Sequence, residues 1–231
     1  MQTETGRVAL VAGANGMVGR ELLRSLTDAS AYQRVIALSR RPLSFEAPRL
    51  ANRIVRFENL EQELRGLRCD DAYCCLGTTI RAAGSQQAFR AVDHDLVLSF
   101  ARFAQSAGAK TLVAVSAAGA APEARNFYLR VKGETELALM ALRFRSLHLM
   151  EPSLLLGARR EWRPAETAAR LLMPLCNPLL MGRYEQWRAI PASTVAQAMC
   201  AAAALGAPGV YRHTWRALKS LASTGRLPAR V

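Results

Sequence analysis

The feature that most constrains this chain is a spaced set of glycines between a short apolar segment and the first amphipathic stretch. Val8 to Ala12 reads as a buried strand, and Gly13-Ala14-Asn15-Gly16-Met17-Val18-Gly19 follows it directly. The next stretch, Met17 to Leu26, carries apolar residues at Val18, Leu22, Leu23 and Leu26, a helical period. The pattern G-x-x-G-x-x-G therefore sits at a strand-to-helix turn. Gly13 permits the tight turn, Gly16 lets backbone approach a ligand where a Cβ would intrude, and Gly19 lets the helix lie close on the sheet. A helix starting there points unpaired N–H groups and its positive dipole end at the turn, which is a seat for a pyrophosphate. A dinucleotide held by Gly13, Asn15, Gly16, Met17 and Gly19 is the expected ligand.

The rest of the chain alternates in the same way. Apolar runs fall at Val35–Leu38, Ile54–Phe57, Ala72–Leu76, Thr111–Val115, Leu147–Leu156 (interrupted by Pro152) and, more weakly, Val210–His213. They are short and apolar on both faces, as strands of a covered parallel sheet read. Helical stretches lie between them at Ser85–Ala107, Phe127–Leu142 and Val195–Leu205, with Gly108 placed to cap the first of these. The expectation is an α/β fold, a Rossmann-type doubly wound parallel sheet of strand order 3-2-1-4-5-6. A single domain over residues 1–231 is expected, with 157–192 as a small substrate-side insertion toward the C-terminus.

Bulk composition excludes several classes. Hydrophobic residues make up 51% of the chain, so disorder is not expected, and no apolar stretch is long enough for a membrane span. The first residues lack a secretory pattern, and the five cysteines have no framework or zinc spacing, so reduced thiols, a cytoplasmic location and no metal are expected. The net charge of +13 comes mostly from arginine spread along the chain. No basic run is interleaved with aromatics, so no nucleic-acid partner is expected.

After the second apolar run stands Ser39-Arg40-Arg41. An acid there would favour NAD by bonding the adenosine 2′-hydroxyl, whereas a hydroxyl and two guanidiniums suit a 2′-phosphate. NADP(H) is expected over NAD(H). Further on, Ser116 ends the fifth run, and Tyr128 and Lys132 are spaced to share one helical face. A tyrosine beside an ammonium can exchange a proton with a carbonyl oxygen, and a serine can orient that oxygen.

The glycine loop, Ser116 and Tyr128-x-x-x-Lys132 together resemble the short-chain dehydrogenase/reductase superfamily over roughly residues 7 to 157. Longer phrases resemble its atypical, extended-like, Tat-interacting-protein-type branch. These are Cys74-Cys75-Leu76-Gly77-Thr78-Thr79-Ile80-Arg81, Phe89-Arg90-Ala91-Val92-Asp93, Tyr128 to Glu134 and Pro152 to Gly157. The resemblance implies Tyr128 as acid/base, Lys132 on the nicotinamide ribose and Ser116 as assistant. It also implies cofactor contacts along Leu76, Gly77, Thr78 and Thr79, and adenine contacts at Glu58, Asn59 and Leu60. Two departures stand out. Asp93 lies near where relatives place an asparagine, and Glu151 replaces the arginine that usually precedes Pro-Ser in that branch.

Arg159 and Trp162 follow the sixth run, where an open α/β sheet presents its crevice, and are the expected grips on an acidic or phosphorylated small-molecule substrate. Three activities remain open. One is hydride transfer to or from a small carbonyl or alcohol. Another is sensing of NADP(H) without turnover, and the third is epimerase-like action on a nucleotide sugar. A monomer or a homodimer is consistent with the sequence.

Overall fold

The computed structural model describes residues 6–157 and 182–226. The first half builds β1 (Arg7–Ala12), α1 (Met17–Asp28), β2 (Tyr32–Ser39), β3 (Leu50–Ile54), a short α2 (Leu60–Glu63) and β4 (Asp71–Cys74). Then come α3 (Ile80–Ala83), α4 (Gln86–Arg90), a π-helical turn (Ala91–Leu96), α5 (Val97–Ser106), β5 (Thr111–Val115), α6 (Phe127–Ala141) and β6 (Ser146–Met150). The last part holds β7 (Leu155–Leu156), a 3-10 turn (Gly182–Trp187), β8 (Ile190–Pro191), α7 (Ala192–Leu205), β9 (Gly209–His213) and α8 (Trp215–Thr224). Seven strands form one sheet in the order β3-β2-β1-β4-β5-β6-β9, every neighbouring pair parallel, and β7 pairs β8 in a separate two-stranded sheet. This is the doubly wound Rossmann arrangement that the alternation predicts.

The sheet divides the core in two. Leu10, Ala12, Leu112, Ala114, Leu147 and Leu149 face one cluster with Phe100 and Phe103 of α5. Ala9, Val11, Val113 and Met150 face the other, against Leu22 and Leu26 of α1 and Val195 and Met199 of α7. Successive residues of one strand thus serve opposite layers, which is why these strands lack polar alternation. Cys74 and Cys75 divide between the layers in the same way.

Three elements depart from the sequence expectation by more than a few residues at their ends or in their continuity. The strand expected at Ile54–Phe57 lies earlier, at Leu50–Ile54. It is the sheet's edge strand and half-exposed, so its residues are mixed, whereas Val55 and Phe57 are buried beyond the ladder under α5. Pro152 ends β6, leaving Leu155 and Leu156 to the small second sheet. The expected single helix over Ser85–Ala107 is divided by the π-helical turn at Ala91–Leu96. Gly108 follows α5 at φ 101°. Among the described residues, no helix is long and apolar enough to cross a membrane.

Two fully buried histidines join β6 to β9. Ser146 Oγ donates to Ala207 O, so it accepts from His148 Nε2–H at 3.0 Å, and His148 Nδ1 then accepts from His213 Nε2–H at 3.0 Å. That chain requires His148 to be neutral, and the buried His213 Nδ1 has no hydrogen-bond partner among the described residues to favour a second proton there. Burial pushes His148 down to about 3, helped by His213, and pushes His213 down to about 4. A base with a lowered folded pKa contributes stability present above its unfolded value. That stability is lost as pH falls from the ordinary histidine value toward the folded ones. Unfolding free energies of the wild type and of a His148→Gln/His213→Gln variant, measured in urea, isolate this effect. The difference should shift against the wild type by about 4 kcal/mol between pH 8 and pH 5. A pH-independent difference would show that the rings accept protons in the folded state.

Candidate active site

The glycine loop is shaped by backbone contacts. Gly13 adopts φ 80°, and a Cβ there would stand 2.3 Å from the Cys75 carbonyl at the end of β4. A Cβ at Gly19 would stand 2.2 Å from Gly13 O, so α1 could not seat on the turn. Gly16 is exposed, and no protein atom comes nearer its Cβ position than Gly13 O at 3.2 Å. Gly16 has no side chain to cap α1, and the first turn of α1 contains no acid. The turn around Asn15, Gly16 and Met17 thus fits an anion: its helix N–H groups are not claimed by a side-chain cap. A recess of about 460 Å³ adjoins it between Met17, Arg20 and Gly157, Ala192, without including Tyr128 or Lys132.

At the end of β2, Arg40 and Arg41 are exposed, but Ser39 is buried. Its hydroxyl donates to Arg41 O at 2.7 Å and accepts from Asn52 Nδ2 at 2.7 Å. Ser39 therefore braces the turn, and its hydrogen is not directed outward. Glu58 and Asn59 are exposed after β3 and line, with Leu60, Asp95 and Arg102, a recess of about 330 Å³. After β4, Leu76 to Thr79 runs past the loop. Thr79 Oγ1 accepts from Ala82 N and caps α3, while Thr78 N–H donates to Asp93 Oδ2 at 2.7 Å.

α6 brings the proton-handling residues together. Asn126 caps it, and Gly133 lets it press on the loop at Ala121, where a Cβ would stand 2.2 Å from backbone. Lys132 is buried with its Nζ 2.8 Å from Asp93 Oδ1. Burial alone would push that ammonium down, but Asp93, Tyr128 and Cys74 outweigh it and hold it above its usual range. A Cβ at Gly77 would stand 3.8 Å from Lys132 Nζ. Tyr128 is half-buried one turn earlier, its ring tilted on Phe89 at 5.5 Å between centroids. The π-helical turn delivers Asp93 to this point, and Thr135 Oγ1 of α6 directs its hydrogen between Val131 O at 2.7 Å and the Asp93 carbonyl at 3.1 Å. A widened turn of this kind commonly marks a functional position.

Ser116 lies just past β5 and is buried, its N–H donating to Met150 O at 2.6 Å. Its hydroxyl donates to Glu136 Oε1. Sequence reasoning passed over Glu136, although its position four residues after Lys132 places it on the same helical face. It also missed Arg212 of β9, which approaches Glu136 at 2.9 Å and Glu151 at 3.5 Å. Glu151, in place of the branch's usual arginine, thus meets a guanidinium supplied by the neighbouring strand. Arg159 and Trp162 lie outside the described residues.

Residues 9–163 match the NAD dependent epimerase/dehydratase family. Protein HTATIP2 of Rattus norvegicus is 35% identical over 193 residues, 82% of this chain and 78% of that protein. The mitochondrial protein FMP52 of Saccharomyces cerevisiae is 32% identical over 185 residues, 79% of this chain and 80% of its own length. Among solved structures, MoeE5 in complex with UDP-glucose and NAD is similar at a TM-score of 0.66 and 18% identity, covering 95% of this chain and 83% of that one. Human epimerase family protein SDR39U1 with NADPH is similar at a TM-score of 0.60 and 19% identity, covering 90% and 74%. The fold is thus shared with one protein holding NAD and another holding NADPH.

Proposed function

Because the chain belongs to the NAD dependent epimerase/dehydratase family, with relatives of the HTATIP2 type, we propose that it is an oxidoreductase of the short-chain dehydrogenase/reductase kind that holds NADP(H) and acts on a small carbonyl or alcohol. The observation that carries this reading is the seat of Lys132: a buried ammonium one helical turn from Tyr128, pinned by Asp93 beside Gly77. A nicotinamide dinucleotide, when bound, supplies or accepts the hydride. Gly13, Asn15, Gly16, Met17 and Gly19 would hold its pyrophosphate, Leu76 to Thr79 would line its path, and Glu58, Asn59 and Leu60 would border the adenine. Tyr128 Oη gives its proton to the carbonyl oxygen as that oxygen gains charge, and takes one back in the reverse direction. Lys132 keeps its charge beside the resulting phenolate, lowering its cost, and offers its remaining N–H groups to the ribose. Ser116 orients the carbonyl oxygen. The free thiols among the described residues fit any reducing compartment, the cytoplasm included.

Cofactor choice is assigned to Arg40 and Arg41, since the Ser39 hydroxyl is engaged inward. Fluorescence titration should show NADPH bound more tightly than NADH. An Arg40→Ala/Arg41→Ala variant should weaken NADPH by about 10- to 100-fold, the loss expected for hydrogen bonds to a charged group, and leave NADH within about twofold. Equal loss for both cofactors would remove the 2′-phosphate role. The activity itself is tested by following NADPH oxidation across a panel of aldehydes and ketones. Turnover of a nucleotide sugar with no net oxidation would instead favour epimerase chemistry.

A further inference from the structure

Behind Ser116 lies a buried group of charges that the hydride-transfer chemistry does not use. Glu136 accepts from Ser116 Oγ through Oε1, and its Oε2 stands 2.9 Å from Arg212 Nη2. Nη1 of the same guanidinium stands 3.5 Å from Glu151 Oε1. Glu136 is 1% exposed and Glu151 6%. The two carboxyl oxygens that face Arg212 are sealed from solvent, and neither receives an aligned hydrogen bond. Lys132 also faces Glu136, but its charge is already matched by Asp93 at 2.8 Å. Ser116, Arg212 and Lys132 are the groups that act on Glu136, and Glu136 and Arg212 those that act on Glu151.

With both acids ionised, two buried negative charges would answer to one guanidinium, an arrangement that like-charge repulsion opposes. One proton held by the pair makes the group neutral and removes that repulsion. We propose that Glu136 and Glu151 share one proton across Arg212, and that this proton decides whether Ser116 can donate to a bound carbonyl. The Ser116 part rests on the oxidoreductase reading above.

The reason is that a hydroxyl has one hydrogen. When Glu136 is ionised, that hydrogen is committed to Oε1, and Ser116 offers the substrate only lone pairs. When Glu136 carries the proton, its O–H donates to Ser116 Oγ, and the serine hydrogen turns to the substrate oxygen. Burial and repulsion from Glu136 lift Glu151 to about 7 against the pull of Arg212, and burial lifts Glu136 as well. Loss of the proton from the Glu151 side of the pair therefore falls near neutrality. Glu136 is a positioning residue, acting through Ser116.

Infrared titration of the full chain with carbonyl-labelled glutamate reads the proton without any substrate. The wild type should show one protonated buried carboxyl at pH 6 that disappears with a one-proton midpoint of about 7. E136Q and E151Q should each lack that band at pH 6, since either variant leaves a single acid opposite Arg212. In NADPH-driven carbonyl reduction, kcat of the wild type should fall about tenfold per pH unit above the midpoint. E136Q, whose amide donates to Ser116 at every pH, should flatten that limb. Two ionised carboxyls at pH 6 overturn the shared proton, even in a protein that reduces carbonyls. A titrating carboxyl in a protein that reduces none overturns the Ser116 part along with the oxidoreductase reading, and leaves the proton pair standing. A band of equal intensity in E151Q also overturns the sharing.

Discussion

Tyr128→Phe is expected to lower turnover by about 10²- to 10⁴-fold, the span of general acid–base catalysis by one positioned group. That corresponds to about 3–5 kcal/mol of lost transition-state stabilisation. The substitution removes one oxygen and leaves the ring, which is tilted against the fully buried Phe89. Folding stability should fall by no more than about 1.5 kcal/mol, the ordinary cost of one lost hydrogen bond. NADPH affinity should stay within about twofold, because phosphate binding is assigned to the glycine loop and to Arg40 and Arg41. The decisive comparison is single-turnover NADPH oxidation with the best carbonyl of the panel. A Tyr128→Phe enzyme that reduces it as fast as wild type removes Tyr128 from the chemistry. Tight NADPH binding with no carbonyl reduced by either protein would favour a sensor, which needs no acid/base.

The sheet was legible because its central strands are buried on both faces, so their apolar runs report position directly. Legibility failed where burial and hydrogen bonding part company. Val55 and Phe57 are apolar because they lie under α5, not because they belong to a strand. The break in the helix after Ser85 has no glycine or proline to announce it. It is held by tertiary bonds: Thr78 N–H and Lys132 Nζ to the Asp93 side chain, and Thr135 Oγ1 to its carbonyl. The helical period placed Tyr128 and Lys132 on one face, yet no period could pair Lys132 with Asp93, which is 39 positions away, since 132 − 93 = 39. Arg212 is the plainest case. It reaches Glu136 and Glu151 only because β9 adds to the sheet beside β6. Ser39 carries the converse lesson: a hydroxyl in the right place by sequence spends its hydrogen on Arg41 O.

The second large effect follows from the same buried pair. Asp93→Ala should destabilise the protein by about 3–5 kcal/mol, the usual cost of leaving one member of a buried ion pair unmatched. Lys132 is 5% exposed and Asp93 1%, so solvent cannot take the place of the lost carboxylate. Burial, no longer opposed by Asp93, would then pull the Lys132 ammonium down and favour its neutral form. The Thr78 N–H would lose its acceptor as well. Asp93→Asn keeps that acceptor and removes only the charge, so it should cost less than Asp93→Ala. A double-mutant cycle separates the pair from its surroundings: Asp93→Leu with Lys132→Met should cost far less than the sum of the two single changes, because no charge is stranded. Urea unfolding of the four proteins measures this, and additive costs would mean that the two side chains do not pair in solution. The cycle has a catalytic reading too. Asp93 balances the charge that Lys132 offers to Tyr128. In Asp93→Asn, any molecule that keeps its lysine protonated should hold the phenolate more readily, moving the alkaline side of the pH–rate profile to lower pH. A profile that stays in place while stability falls would make Asp93 a structural partner of Lys132 alone.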